Sequence, residues 1–437
     1  MGSATPPTPT ALRRDVGIWG ATMMGLGSII GTGVFVSIGI AAGAAGPAVV
    51  LAIAVAAIVA ICNGLSSAQL AASHPVSGGT YEYGYQWLHS SLGFTAGWMF
   101  LCAKSASAAT AALGLGGYIV SVLGPDRIEW IVPVALVAVV ILTAITLTGI
   151  RRSNASNIAV VSVTLCSLLI FIGAGAPTAW RVGTTHLFPF FAPSDDSISP
   201  LTGVLRACAL MFVAFTGYGR IATLAEEVRH PRRTIPIAVL VTLGISMLLY
   251  MGVGIIGVAT VGANNFAAAG VKQAAPLEVV ARTFDVPVVG MIVAAGAVTA
   301  MLGVLLNLIL GLSRVALAMG RRGDLPTMLA RVSDNGTPCR ATLAVGFVIV
   351  GLVMIGSVKV AWSFSAFTVL IYYAITNLAA IQMSRNERLY PHFIPWLGLC
   401  SCLFLAVWVE PQIWGAGLAL IVAGLLWHRI ALWSRRA

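Results

Sequence analysis

The stretch GLGSIIGTGVFVSIG, residues 25–39, is apolar enough to lie in a membrane, yet it sets glycines at 25, 27, 31 and 33 within one helix-forming run. How that interruption is read decides the fold. Glycine inside a helix costs about 0.5–1 kcal/mol relative to alanine, so four of them together need a physical reason. Hydrocarbon cannot satisfy the N–H and C=O groups that unwinding frees, so a broken membrane helix must line an internal cavity.

The surrounding chain supports a membrane setting: 437 residues, 58% hydrophobic and only 9% charged. A span needs about 20 apolar residues to cross ~30 Å. Such stretches fall near 17–43, 47–73, 92–123, 130–149, 156–176, 202–228, 235–262, 286–319, 341–358, 360–383, 392–409 and 413–433. They are continuously apolar and do not alternate, which excludes a membrane β-barrel. The fold class expected is all-α integral membrane with 12 transmembrane helices, preceded by a disordered cytoplasmic tail over 1–16, where MGSATPPTPTALRR is too polar for a signal-peptide core.

Basic residues set the orientation. With both termini in the cytoplasm, the inner side collects most of the arginines, Arg13, Arg14, Arg151, Arg152, Arg229, Arg232 and Arg233 among them. The outer side holds six basic residues: Arg127, Arg181, Arg206, Lys272, Arg282 and Lys359. This is the positive-inside pattern, and it places the chain in the cell membrane. It also explains the net charge of +11 through the anionic inner leaflet, without nucleic acid. The seven cysteines form no CxxC pair, and the six histidines have no ligand-like spacing, so neither a metal nor a cofactor is expected. Glu226 and Glu227 with Arg229, Arg232 and Arg233 make a charged inner end to the sixth span, read as a closure by salt bridges or a solvated face.

A second interruption, Phe215-Thr216-Gly217-Tyr218-Gly219, lies in the sixth span, five spans after the first. Paired interruptions at corresponding positions of two halves point to inverted repeats with a binding site at the midplane. A half-helix N-terminus offers N–H donors and a positive dipole end to an anion, while freed carbonyls accept from an ammonium. An α-amino acid carries both groups. Glycine is also expected there for its freedom to take positive φ. The competing reading makes these glycines packing residues, since Gly27 and Gly31 form a small-xxx-small pair. The matching positions of the two breaks favour the site.

Four segments in this order resemble the amino acid–polyamine–organocation (APC) superfamily: GSIIGTGVF in the first span, HPVSGGTYEYGYQWLHSSLGFTAGW over 74–98, EEVRHPRRTIPIA over 226–238, and LSRVALAMGRRGDLP over 312–326. The resemblance covers nearly the whole chain. It implies a leucine-transporter-type fold: a first repeat of five helices over 17–176, an external loop over 177–201, a second repeat over 202–383, and two further helices with the C-terminus over 384–437. It further implies that a substrate carboxylate sits on Gly31, Thr32 and Gly33, and that its ammonium sits on carbonyls of Ile29 or Ile30 and of Val213, Ala214 and Thr216. Phe215 and Tyr218, beside Gly217, are the side chains placed to gate or touch the ligand.

None of the fourteen acidic residues lies near either break, so a neutral, small or apolar amino acid is favoured over arginine, lysine or polyamines. In some proton-coupled relatives a fifth-helix lysine takes the place of an ion, but the corresponding stretch AVVSVTLCS, 159–167, has none. Instead Lys104 lies 12 residues into the third span from Leu92, about 18 Å along the helix and too deep to snorkel. An ammonium there must meet carbonyls, hydroxyls or water, or lose its proton. Lys104 is therefore assigned to proton coupling, against a structural role bonded to the broken helices; Arg220 is read as a structural or gating cation. The expected function is a permease moving amino acids by alternating access, with the amino acid, the proton and the bilayer as its partners. An exchanger or exporter is the main alternative and a non-transporting sensor the lesser one; an intramembrane enzyme lacks a nucleophile–base pair or metal set at depth.

Overall fold

The computed structural model describes residues 16–74, 78–124, 127–149, 154–195, 197–223, 228–333 and 336–434. Within them the chain forms helices and no strand; Val16 and Val228 make an isolated parallel bridge. The N-terminal tail, Glu226, Glu227 and the inner arginines 13, 14, 151 and 152 lie outside the described residues.

The helices run in the order α1 (Ile18–Ile29), α2 (Ile38–Ala45), α3 (Val49–Ser73), α4 (Thr80–Trp87), α5 (Ser90–Leu123), α6 (Ile131–Leu147), α7 (Asn154–His186), α8 (Pro200–Phe215) and α9 (Gly219–Thr223), followed by α10 (Pro231–Val261), α11 (Ala263–Ala268), α12 (Pro276–Ala281), α13 (Val288–Arg322), α14 (Cys339–Met354), α15 (Val358–Ile381), α16 (Phe393–Val407) and α17 (Pro411–Ser434). Nine helical stretches among the described residues are long and apolar enough to cross a membrane, and α1, α14 and α16 are shorter apolar helices. This is a multi-pass membrane protein. The first stretch joins α2 to α3 through Gly46, whose φ of 64° turns the chain where a Cβ would run into the Ala192 carbonyl.

Two boundaries differ from the sequence expectation. Helix α7 continues through Pro177 to His186, so part of the 177–201 loop is helical; a proline removes one backbone hydrogen bond, and here it does not end the helix. The connection between α10 and α13, left between two expected spans, folds into α11, a π-helical turn at Ala269–Gln273, and α12, because Leu277, Val280 and Ala281 find a core to bury in. Helix α5 is central, packing on α6, α13 and α15, while α3 packs on α8 and α10.

The α12 face is fastened to α5. The Tyr118 hydroxyl donates to the Phe35 carbonyl at 2.7 Å and accepts from the Leu277 amide at 3.3 Å, and Arg282 bridges Glu278 and the Ser121 carbonyl. On the opposite face α4 is clasped to α13 and α17. Tyr81 and Tyr85 both donate to the buried Asp324 carboxylate at 2.7 Å, His428 lies 3.4 Å from its other oxygen, and Arg322 pairs with Glu82 while stacking on the Tyr85 ring. Burial, together with the Asp324 carboxylate, pushes the Tyr81 phenol far above its ordinary range, so it stays a donor. Asp324→Ala removes the acceptor of two hydroxyls and is expected to destabilise the protein by about 2–4 kcal/mol. Glu82→Gln, at a partly exposed ion pair, is expected to cost about 1 kcal/mol or less. Thermal unfolding of the two variants in detergent checks the ranking; equal melting temperatures would contradict it.

Candidate functional site at the two helix breaks

Helix α1 is 12 residues long, about 18 Å, and cannot cross the bilayer alone. It stops because Ile30 turns extended (φ −80°, ψ 104°), and the chain resumes as a π-helix over Gly33–Ser37 before α2. The second break is a tight 3-10 turn, Thr216–Tyr218, between α8 and α9. Both interruptions lie where the sequence places them.

The structure packs the breaks against each other, backbone to backbone. A Cβ on Gly217 would collide with the Ser28 carbonyl group and lie 2.6 Å from the Ile29 nitrogen. One on Gly33 would come within 2.7 Å of the Ala214 Cβ and 3.2 Å of the Tyr250 hydroxyl. Close approach is therefore why these positions are glycine. The expectation of positive φ is wrong here: none of Gly31, Gly33 and Gly217 has it, since the turns are built from extended, π and 3-10 backbone. Gly25 and Gly27 fit the packing reading, facing Thr242 and Ile221 in one case and Asn157 and Val161 in the other.

Ile29, Ile30, Gly31, Thr32, Gly33, Val213, Ala214, Phe215, Thr216 and Tyr218 are all buried, and Gly217 is partly so. Among the described residues the amides of Gly31, Thr32 and Gly33 donate to no carbonyl outside a helix, and the buried Thr32 hydroxyl has no partner. A cluster of unpaired donors at the start of a helical segment suits an anion.

The carbonyls assigned to the ammonium are largely occupied by hydroxyls. The Tyr250 hydroxyl, from α10, lies 2.8 Å from the Ile29 carbonyl and 3.2 Å from the Ala214 carbonyl; Thr216 donates to the Val213 carbonyl at 2.8 Å, and Tyr373 donates to the Thr216 carbonyl at 3.2 Å. Phe215 packs on Tyr250 with ring centroids 5.1 Å apart, and Tyr218 on Tyr373 at 5.4 Å. Lys104 reaches the second break, its Nζ donating to the Thr216 hydroxyl at 3.0 Å. In α7, Asn157 hydrogen-bonds to the first half-helix, donating to the Met23 carbonyl at 3.1 Å. Sequence reasoning missed Tyr250 and Tyr373. The available signal was a tyrosine deep within a span, away from the interfaces that tyrosines favour.

Comparison with known proteins identifies the family. The family model described as amino acid permease matches residues 20–431. An uncharacterized transporter of Mycobacterium tuberculosis (strain ATCC 25618 / H37Rv) is 40% identical over 425 residues, covering 95% of this chain and 91% of its own. The branched-chain amino acid permease BcaP of Bacillus subtilis is 29% identical over 456 aligned positions, covering 97% and 92%. The vacuolar cationic amino acid transporter 4 of Arabidopsis thaliana is 25% identical over 354 residues, covering 77% of this chain and 58% of its own. With two interrupted helices meeting backbone to backbone inside a multi-pass bundle, and a family match running almost end to end, the chain belongs to the amino acid permease family and is a membrane transporter, not an enzyme.

Proposed function

We propose that this protein is a secondary active transporter of neutral, small or apolar amino acids, working by alternating access and coupled to protons. The observation that carries the proposal is the pairing of unpartnered amides at Gly31–Gly33 with carbonyls of both breaks, because only a ligand with adjacent negative and positive groups matches both. The 12-helix arrangement follows the same reading: repeats over 17–176 and 202–383 joined by the 177–201 segment, then the last two helices over 384–437. Both termini are assigned to the cytoplasm and the protein to the cell membrane on the strength of the basic asymmetry between loops.

Two observations support neutral substrates. The relative BcaP is by name a branched-chain amino acid permease. No hydrogen bond or ion pair among the described residues joins a carboxylate to either break. Coupling is assigned to Lys104, which alone of the three lysines reaches a break. Exchange of one amino acid for another is the second reading, in which Lys104 is a fixed structural cation.

Uptake of labelled amino acids into proteoliposomes, as a panel with and without an inward pH gradient, tests the proposal. Leucine, isoleucine or valine is expected to accumulate, with the gradient stimulating entry. Arginine and lysine are expected to compete at least about tenfold more weakly, and to gain ground only when Phe215→Asp supplies a counter-charge. Strong competition by arginine in the wild type would overturn the neutral assignment.

A further inference from the structure

Lys104 brings more donors to the second break than the break uses. Its Nζ donates to the Thr216 hydroxyl at 3.0 Å, and among the described residues this is its one hydrogen bond, although an ammonium carries three N–H groups. None of the ion pairs among the described residues involves it. Ser107 and Ser365, a turn further along, are engaged with each other at 2.8 Å, and Ser365 donates onward to the Ala103 carbonyl. Lys104 also keeps part of its surface accessible, whereas α5 is buried without a gap from Ser105 to Tyr118. A charged group at this depth faces the bundle interior or a cavity and not lipid. That surface therefore borders an internal space beside the second break, where Gly217 is partly accessible too.

An amino acid whose carboxylate and ammonium are held at the two breaks has only its side chain left to meet Lys104. We infer that Lys104 is a specificity-determining residue, donating to an oxygen in the substrate's side chain. The substrate class narrows from neutral amino acids at large to those with a side-chain hydroxyl or amide, favoured over apolar side chains of the same shape. Valine in place of threonine, or leucine in place of asparagine, fills the space beside the ammonium without supplying an acceptor. A site that bonds a substrate oxygen discriminates against the analogue lacking it. An acidic side chain supplies acceptors but must shed the hydration of a full charge, which one ammonium already bonded to Thr216 offsets poorly. This inference rests on the transport reading above and gives a second use to the residue assigned there to coupling.

The test is inhibition of labelled L-leucine uptake in proteoliposomes by two pairs of matched shape, threonine with valine and asparagine with leucine, in the wild type, Lys104→Met and Lys104→Arg. In the wild type the oxygen-bearing member of at least one pair is expected to inhibit about tenfold more strongly, the size of one hydrogen bond to a charged group. Lys104→Met is expected to bring both pairs within about threefold, while Lys104→Arg, which keeps a cationic donor, retains the preference. If Lys104→Met weakens all four compounds alike and leaves their ratios intact, Lys104 holds the backbone end of the substrate or the fold, and the inference fails. Aspartate inhibiting the wild type more strongly than asparagine would overturn the restriction to neutral oxygens. Two pairs that both fail to separate in the wild type overturn the inference without any variant, so poor insertion of Lys104→Met does not shield it. If no amino acid of the panel enters or binds, the transport reading itself falls, an outcome distinct from the others.

Discussion

Gly217→Leu is expected to abolish amino acid binding while leaving a membrane-inserted, monodisperse protein. A Cβ at this position meets the Ser28 carbonyl group and the Ile29 nitrogen, which are backbone atoms and cannot swing aside. The half-helices would have to separate, and with them the amides of Gly31–Gly33 and the carbonyls of Ile29 and Ala214. Losing two or more hydrogen bonds to charged groups weakens binding on the order of a hundredfold or more. Even Gly217→Ala should fall near that limit. Gly31→Ala is expected to be milder, since its Cβ meets one methyl of Val304, while Gly31→Leu adds bulk that the valine cannot clear. Binding of labelled leucine to purified protein checks the order, and wild-type affinity in Gly217→Leu would remove the breaks from the site.

Lys104→Met is expected to abolish stimulation of uptake by an inward pH gradient, a loss of roughly tenfold in the driven rate, while amino acid exchange continues. If Lys104 gives up its proton when the site faces one side and regains it on the other, the two carrier states differ in proton affinity, and that difference is the coupling. Methionine keeps most of the stem's volume without the charge. Lys104→Arg then separates the two roles, because arginine keeps the cation on Thr216 but does not deprotonate. Coupling should stay lost in the arginine variant; restored gradient response there, or an undiminished one in Lys104→Met, would make Lys104 a structural cation.

The helices were legible because a membrane leaves a coarse signal: long apolar runs located most of the helices, although α7 runs on to His186, past the expected end at 176. The two breaks were legible because glycine clusters are conspicuous in such runs. Why Gly217 is glycine was not legible, since the reason is the Ser28 carbonyl, far away in sequence. Tyr250 stayed hidden for the same cause: a hydroxyl's acceptors leave no mark on the residues flanking it. The buried Asp324 with Tyr81, Tyr85 and His428 joins α4, α13 and α17, again partners that no local pattern connects. Apolar length is a property of a segment, whereas hydrogen-bond satisfaction is a property of the assembled bundle.

The Tyr250 contact has a bearing on how the chain is made. Its hydroxyl reaches the Ile29 carbonyl across 221 residues of sequence, so the first half-helix leaves the ribosome long before α10 exists to serve it. Until then the exposed end of α1 must keep company with water, in the insertion machinery or at the bilayer surface, because lipid offers it no donor. A segment synthesised well before α10 is thus among the last to settle. Biogenesis of the protein should accordingly be most sensitive to truncations just before Tyr250, with the emerging N-terminal span held reversibly until that residue arrives.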